Sequence, residues 1–332
     1  MRRWTTTHPI PIDPYFWKDA DQKSVLTAPL GKDLLILVAG SISILRTRGP
    51  KKHYNMFIYR AESSKLEQVD CSILSTIPQD THVKSIVCKD DQLYFLVDDD
   101  SMFINMLILY KLDLKTMELE KVVEMENCKW KGRAAIVGDC IYAKGSQSMC
   151  SINLKTKNVE RFEVEKRRGV RTSLLEKDGK LYMLQRFKDA RRVMVFEDRK
   201  WQSVRSDMYT YGKKVNGTPK SIRESEWLDG SVLDILQYDE QYTFSSNTFD
   251  FDNARWIRNN VEQGRFSKLD TIEEMNKIGH TTFVISIRNS SMTLSLLEEL
   301  PKLTTLSLLS FIDTVTSENV REKRKQVNPI YR

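Results

Sequence analysis

Short runs of Val, Ile, Leu and Tyr recur along the whole chain, punctuated by Asp, Gly and Lys. Runs of this size between turn-forming residues predict strands rather than helices. One phrase repeats: KDLLILV around Leu35, DQLYFLV around Tyr94, DCIYAKG around Tyr142 and GKLYMLQ around Tyr182. Weaker copies are GSVLDIL near Leu233 and HTTFVISI near Val284. Successive anchors are 59, 48, 40, 51 and 51 residues apart, a mean of about 50. A second pair, LDLKTMELEKV (112–122) and INLKTKNVERF (152–162), reads strand, polar turn, strand.

Each repeat divides into four strands. In the third, RAAIVG is predicted to be innermost, followed by CIYAKG, MCSINLKT and an outermost NVERFEV. The fourth runs RTSLLE, KLYMLQ, RVMVFED and KWQSVRS. A single four-stranded unit exposes two apolar faces, and packing such units around an axis buries them. The period predicts an all-β fold, a six-bladed β-propeller of four-stranded antiparallel blades, with seven blades as the alternative count. Residues 1–22 read as an N-terminal arm, 23–308 as the propeller, and 309–332 as a closing segment with a basic tail, VREKRKQVNPIYR. Between Arg258 and Ile278 the pattern admits a short helix capped at Thr271 with Glu274.

These residues resemble kelch-repeat propellers. Tyr94, Tyr142 and Tyr182 match the aromatic after the first turn, and Asp113 with Thr116 matches the Asp-x-x-Thr turn that Asn153 with Thr156 repeats. Trp201 and Trp256 match the tryptophan opening the outer strand, with Leu66, Leu119, Val159 and Leu303 as apolar substitutes. The resemblance covers residues 23–308 but lacks the double glycine, of which Gly40 and Gly145 remain.

Catalytic motifs are missing. There is no G-x-x-x-x-G-K-[ST], H-E-x-x-H, G-x-S-x-G or C-x-x-C, and the four histidines are isolated in sequence. No cofactor, metal site or catalytic residue is therefore predicted. Asp98 to Asp100, Asp250 and Asp252 lack the spacing of a calcium loop and read as solvated turn carboxylates. Five unpaired-looking cysteines and no signal-like h-region point to a cytoplasmic chain, with the nucleus as the alternative, and no apolar run is long enough for a membrane helix. A monomer is expected.

Charge then changes the picture. The net charge is +7, from 52 Lys+Arg against 45 Asp+Glu. In a four-stranded blade, the first-to-second and third-to-fourth turns share one face, and the second-to-third loops and blade-to-blade links share the other. Sorted this way, Asp90, Asp91, Asp113, Asp139, Asp178, Asp198 and Asp252 fall on the turn face. Arg46, Arg48, Lys51, Lys52, Arg186, Lys188, Arg191 and Arg192 fall on the loop-and-link face. The kelch resemblance implies peptide recognition on that face by basic residues at the entrance of the innermost strand. Lys84, Arg133, Arg171 and Arg223 stand there, about ten residues before each anchor. Arg133 and Arg171 are expected at the channel mouth with solvated head groups, ringed at larger radius by Arg46, Arg48, Arg191 and Arg192. The functional expectation is a non-enzymatic interaction module for an acidic or phosphorylated protein segment. RNA or DNA binding through the same charge is the alternative, and a propeller enzyme with an axial site the third reading.

Overall fold

The computed structural model describes residues 2–13, 22–42, 51–78, 81–99, 106–126, 133–145, 148–164, 171–186, 191–204, 221–228, 230–237, 241–258, 262–267 and 271–299. The chain opens with β1 (Arg2–Ile10). Blade 1 is β2 (Gln22–Leu30), β3 (Asp33–Ile42), β4 (Lys51–Arg60) and β5 (Lys65–Val69). Blade 2 is β6 (Thr81–Lys89), β7 (Gln92–Asp99), β8 (Met106–Asp113) and β9 (Leu119–Glu126). Blade 3 is β10 (Ala135–Val137), β11 (Cys140–Lys144), β12 (Ser148–Asn153) and β13 (Val159–Glu163). Blade 4 is β14 (Arg171–Lys177), β15 (Lys180–Arg186), β16 (Arg191–Glu197) and β17 (Lys200–Val204). A sheet of β18 (Ser221–Leu228), β19 (Ser231–Gln237), β20 (Gln241–Asp250) and β21 (Arg255–Arg258) follows, and β22 (Glu262–Ser267) adds a fifth strand to it by pairing with β20. The closing blade joins β23 (Thr271–Ile278), β24 (Thr281–Arg288) and β25 (Ser291–Glu299) to β1.

Among the described residues the molecule is thus an all-β propeller with five four-stranded antiparallel blades, not six or seven; the remaining sheet is five-stranded. The inner strands β2, β6, β10, β14, β18 and β23 contact one another in ring order, and β23 returns to β2. The helix expected between Arg258 and Ile278 is absent, because β22 and β23 occupy the described part of that stretch. Thr271 begins a strand whose bulge lies between Ile272 and Glu274.

The arm is also corrected. β1 pairs antiparallel with β25 and supplies the outermost strand of the closing blade. Leu303, expected in that strand, lies outside the described residues. Its register position belongs to Trp4, opposite Leu297 as Trp201 is opposite Phe196 and Trp256 opposite Phe249. The 309–332 segment likewise lies outside the described residues.

The repeat phase holds for the tyrosines. Tyr94, Tyr142 and Tyr182 are each the third residue of a second strand. Tyr94 packs with Ile141 and Ala143 of blade 3, Tyr142 joins the cluster holding Leu174 and Met183 of blade 4, and the Tyr182 ring lies 4.7 Å from that of Phe251. In the closing blade the phase shifts by one: the third residue of β24 is Phe283, not Val284. A one-residue slip reverses which face a strand residue presents. Phe283 and Ile285 pack toward blade 1 with Leu34 and Ile36.

Both faces of each inner sheet region are buried, which is why β3 reads as an unbroken apolar run. Leu34, Ile36 and Val38 face the closing blade, whereas Leu35 and Leu37 face blade 2. Full burial of each such side chain contributes about 1.5–3 kcal/mol relative to exposure. The turn face is built by matching side-chain caps. Asp113 Oδ1 accepts from the backbone N–H groups of Lys115 (2.8 Å) and Thr116 (3.0 Å). Asn153 Oδ1 accepts from Lys155 (3.0 Å) and Thr156 (2.9 Å) in the same way. An Asx side chain that mimics a backbone turn explains why Asp and Asn interchange here.

Candidate functional site

The two ends of the propeller have different electrostatics. On the turn face, carboxylates are tied to lysines within and between blades. Asp139 of the blade 3 turn pairs with Lys89 of blade 2 at 2.7 Å and with Lys155 at 2.5 Å. Those two ammonium groups, Lys155 first, hold its carboxyl at about 2. Asp113 is also held at about 2, chiefly by the Gln92 amide and then by the Thr116 and Lys115 N–H groups. Asp91 pairs with Lys115, and Glu197 with Lys180, both at 2.8 Å. The charges of Asp91, Asp139 and Glu197 are thus neutralised locally.

The central channel carries a polar bar. Arg133, at the entrance of blade 3, forms an ion pair with Glu274 of the closing blade, three sheets away around the ring. Its Nη2 also donates to the Met275 carbonyl at 2.7 Å and to Thr27 Oγ1 at 3.3 Å. Asn276 Nδ2 donates to Thr27 Oγ1 at 3.0 Å, and Thr27 Oγ1 donates to Glu274 Oε1 at 3.3 Å. The Arg133 and Glu274 side chains are 21% and 16% exposed. Arg133 is therefore not a solvated arginine at the mouth; it spans the channel. The bulge before Glu274 admits that carboxylate, and the weakly screened interior draws a cation to it.

On the turn side of the bar lies a cavity of about 330 Å³ lined by residues of β2, β6, β10, β14 and β23, including Thr27, Ile86, Ala135, Leu175 and Asn276. Cys88 also lines it, and burial, with a smaller push from Asp91, raises its thiol to about 12. A thiol so protonated is a poor nucleophile. Among the described residues, no group of three His, Cys, Asp or Glu side chains could hold a metal ion.

The outer basic residues divide. Arg191, expected on the rim, opens β16 and is 3% exposed. Strand alternation sets it in phase with Val193, so it faces the seam toward the five-stranded sheet, 5.7 Å from the Trp256 ring. Arg192 is half-buried on the opposite phase. Arg186 is buried opposite Arg191, and its Nη2 donates to Ser173 Oγ at 3.2 Å. Arg171 begins β14 opposite Arg186, and Arg223 lies on β18 opposite Ile235; their side chains lie outside the described residues. Arg46 and Arg48 also lie outside them. The structure therefore does not bring the eight predicted residues together as one ring.

Lys84 belongs to a different feature. It is exposed at the β6 bulge between Val83 and Ser85. There it helps line a pocket of about 390 Å³ at the loop end of the seam between blades 1 and 2. Lys23, Ser24, Gly40, Ser41, Lys52, Tyr54, Thr81 and His82 share the lining, which among the described residues contains no carboxylate. Lys52 is buried, and its Nζ donates to the Thr81 carbonyl, to Thr81 Oγ1 at 3.0 Å and to the Pro78 carbonyl at 2.7 Å. This clamp ties the third strand of blade 1 to the link entering blade 2. Burial pushes the Tyr54 phenol up to about 12, so it remains a neutral wall.

Sequence reasoning assigned Lys52 to a solvated loop. Its phase with Tyr54, Met56 and Ile58, which pack toward blade 2, was the available signal. Asp98 was read as a turn carboxylate for the same reason, yet it is buried on β7 in phase with Tyr94 and Leu96. Seams that are apolar toward the turn face thus become polar toward the loop face.

No protein-family model matches the chain, and no curated protein sequence matches it. Among solved structures, it is similar to the β-propeller domain of the Trilobed protease from Pyrococcus furiosus, which has an open velcro topology. That match has 12% identity and a TM-score of 0.50, covering 86% of this chain and 96% of that one. The acylaminoacyl peptidase of Pyrococcus horikoshii matches at 12% identity and TM-score 0.45, over 88% of this chain and 48% of that one. The Trypanosoma rangeli sialidase, in complex with sialic acid, matches at 10% and 0.47, over 95% and 62%. Among the described residues, no helix is long and apolar enough to cross a membrane. The first of these likenesses is one of fold: the chain is a β-propeller.

Proposed function

We propose that this propeller is a non-enzymatic interaction module, similar to kelch-repeat propellers, that binds an acidic protein segment on its loop-and-link face. The observation that carries the reading is the pocket between blades 1 and 2. Three lysines and a histidine from β2, β4 and β6 line it, with no carboxylate among the described lining residues. On the opposite face the turn carboxylates of Asp91 and Asp139 already have lysine partners. An acidic segment is therefore attracted to one end of the molecule and guided there by its field. The site is a seam pocket supplemented by the neighbouring links, and Arg133 is assigned to the scaffold.

The test is a fluorescence-anisotropy titration with a Glu-rich peptide, comparing the native chain with Lys23→Glu/Lys84→Glu. Binding that weakens with salt and is lost in the variant supports the reading. Equal binding by both chains overturns it. Tighter binding of a single-stranded RNA than of the peptide, again lost in the variant, transfers the face to nucleic acid.

A further inference from the structure

The lining of the seam pocket also discriminates among acidic groups. Among the described residues its cationic side chains are lysines, with no arginine. A planar carboxylate is met best by the two parallel donors of a guanidinium, whereas lysines act as compact point charges approached from several directions. Here Lys23 comes from β2, Lys52 from β4 and Lys84 from β6, so positive charge arrives from three strands. Hydroxyls of Ser24, Ser41 and Thr81 share the lining. A phosphoryl group carries nearly two negative charges and three acceptor oxygens in a compact tetrahedron. That shape suits dispersed point donors and hydroxyls better than it suits a fork.

Lys52 has a distinct role. Its ammonium donates to the Pro78 and Thr81 carbonyls and to the Thr81 hydroxyl, which hold it in place beneath the pocket. It contributes positive charge at a fixed position, while Lys23 and Lys84 are exposed at the pocket edge. The bulge at Lys84 takes that residue out of the regular alternation of β6 at the pocket edge.

We propose that the pocket at the loop end of the blade 1–blade 2 seam is a phosphoryl-binding site, with Lys23 and Lys84 as direct donors and Lys52 as a positioning residue. The proposal rests on the loop-face reading above and names the group recognised there. The same chemistry is offered by a phosphorylated side chain and by free inorganic phosphate, and the experiment separates them.

Binding is measured at constant ionic strength for inorganic phosphate, for a phosphothreonine peptide with neutral flanks and for its unphosphorylated form. The phosphopeptide is expected to bind and the unphosphorylated form not to. Lys23→Glu or Lys84→Glu should weaken it roughly tenfold, and the pair roughly a hundredfold. Lys32→Glu, on the turn face where Lys32 pairs with Glu62, should leave it unchanged. Phosphate that binds and competes with the phosphopeptide places the phosphoryl group itself in the pocket. Phosphate that binds without phosphopeptide affinity identifies a free-phosphate site. Equal binding of the two peptides, or phosphopeptide binding unaltered by the double variant, overturns the proposal, as does no binding of either phosphorylated probe. If a Glu-rich peptide binds and the double variant loses it while both phosphorylated probes fail, this inference falls and the loop-face reading stands. If the Glu-rich peptide also fails, both fall.

Discussion

Replacing Arg133 by Met tests whether the channel bar belongs to the scaffold or to a ligand site. The change keeps much of the side-chain volume but removes the ion pair to Glu274 and the bonds to Met275 and Thr27. Removing one partner of a fully buried pair costs about 3–5 kcal/mol, mostly because the remaining charge is left without its counterion. Here both side chains keep about a fifth of their exposure, and the Thr27 hydroxyl continues to donate to the Glu274 carboxylate. The cost should therefore fall at or below the bottom of that range, about 2–3 kcal/mol. Glu274→Met alone should cost a similar amount, and the double variant less than the two singles together, with a coupling of about 1–2 kcal/mol. Urea unfolding followed by tryptophan fluorescence gives all three values. A cost below about 0.5 kcal/mol for Arg133→Met, with no coupling, would mean a solvated surface arginine and would refute the bar.

Three further outcomes follow from the fold. Phe283→Ala removes a ring buried between the closing blade and blade 1 and should cost about 3–5 kcal/mol by denaturation, whereas Ile257→Ala, at 41% exposure, should change stability by less than about 0.5 kcal/mol. Asp113 and Asp139 are held at about 2 in the folded chain, below their ordinary range. Their contribution is present above the unfolded value near 4 and is lost as pH falls through about 2, so stability should decline between those limits. Asp113→Asn, which copies the Asn153 turn, should keep the fold and flatten that decline in a pH series of thermal melts. Deleting residues 1–10 exposes the β25 edge, and size-exclusion chromatography should show association or loss of the folded monomer; an unchanged monomer of equal stability would contradict closure by β1.

Strand-level structure was legible because its signals are local. Alternation and turn residues located all six second strands, and the shared Asp113 and Asn153 turns marked equivalent hairpins. What sequence reasoning missed depends on contacts between distant segments. Trp4 takes the outer position assigned to Leu303 only because the chain closes on itself, which no local pattern encodes. Arg133 meets a carboxylate across the channel 141 positions away in sequence, so its role was invisible to charge counting. Arg191 and Lys52 were sorted by loop membership, whereas the strands extend far enough to turn them into the seams. Their phase with neighbouring apolar residues was present in the sequence. Of the eight predicted residues, Lys84 lines the seam pocket, beside Lys23, Lys52 and His82.

Hydrogen–deuterium exchange with and without a saturating Glu-rich peptide tests the central claim most directly, because it reports which end of the propeller is covered. The account predicts slower exchange in residues 22–25, 51–54 and 81–85, which surround the seam pocket, and no change in the turns at 89–92, 113–118 and 138–140. Protection confined to those turns, or none anywhere at saturation, would contradict it.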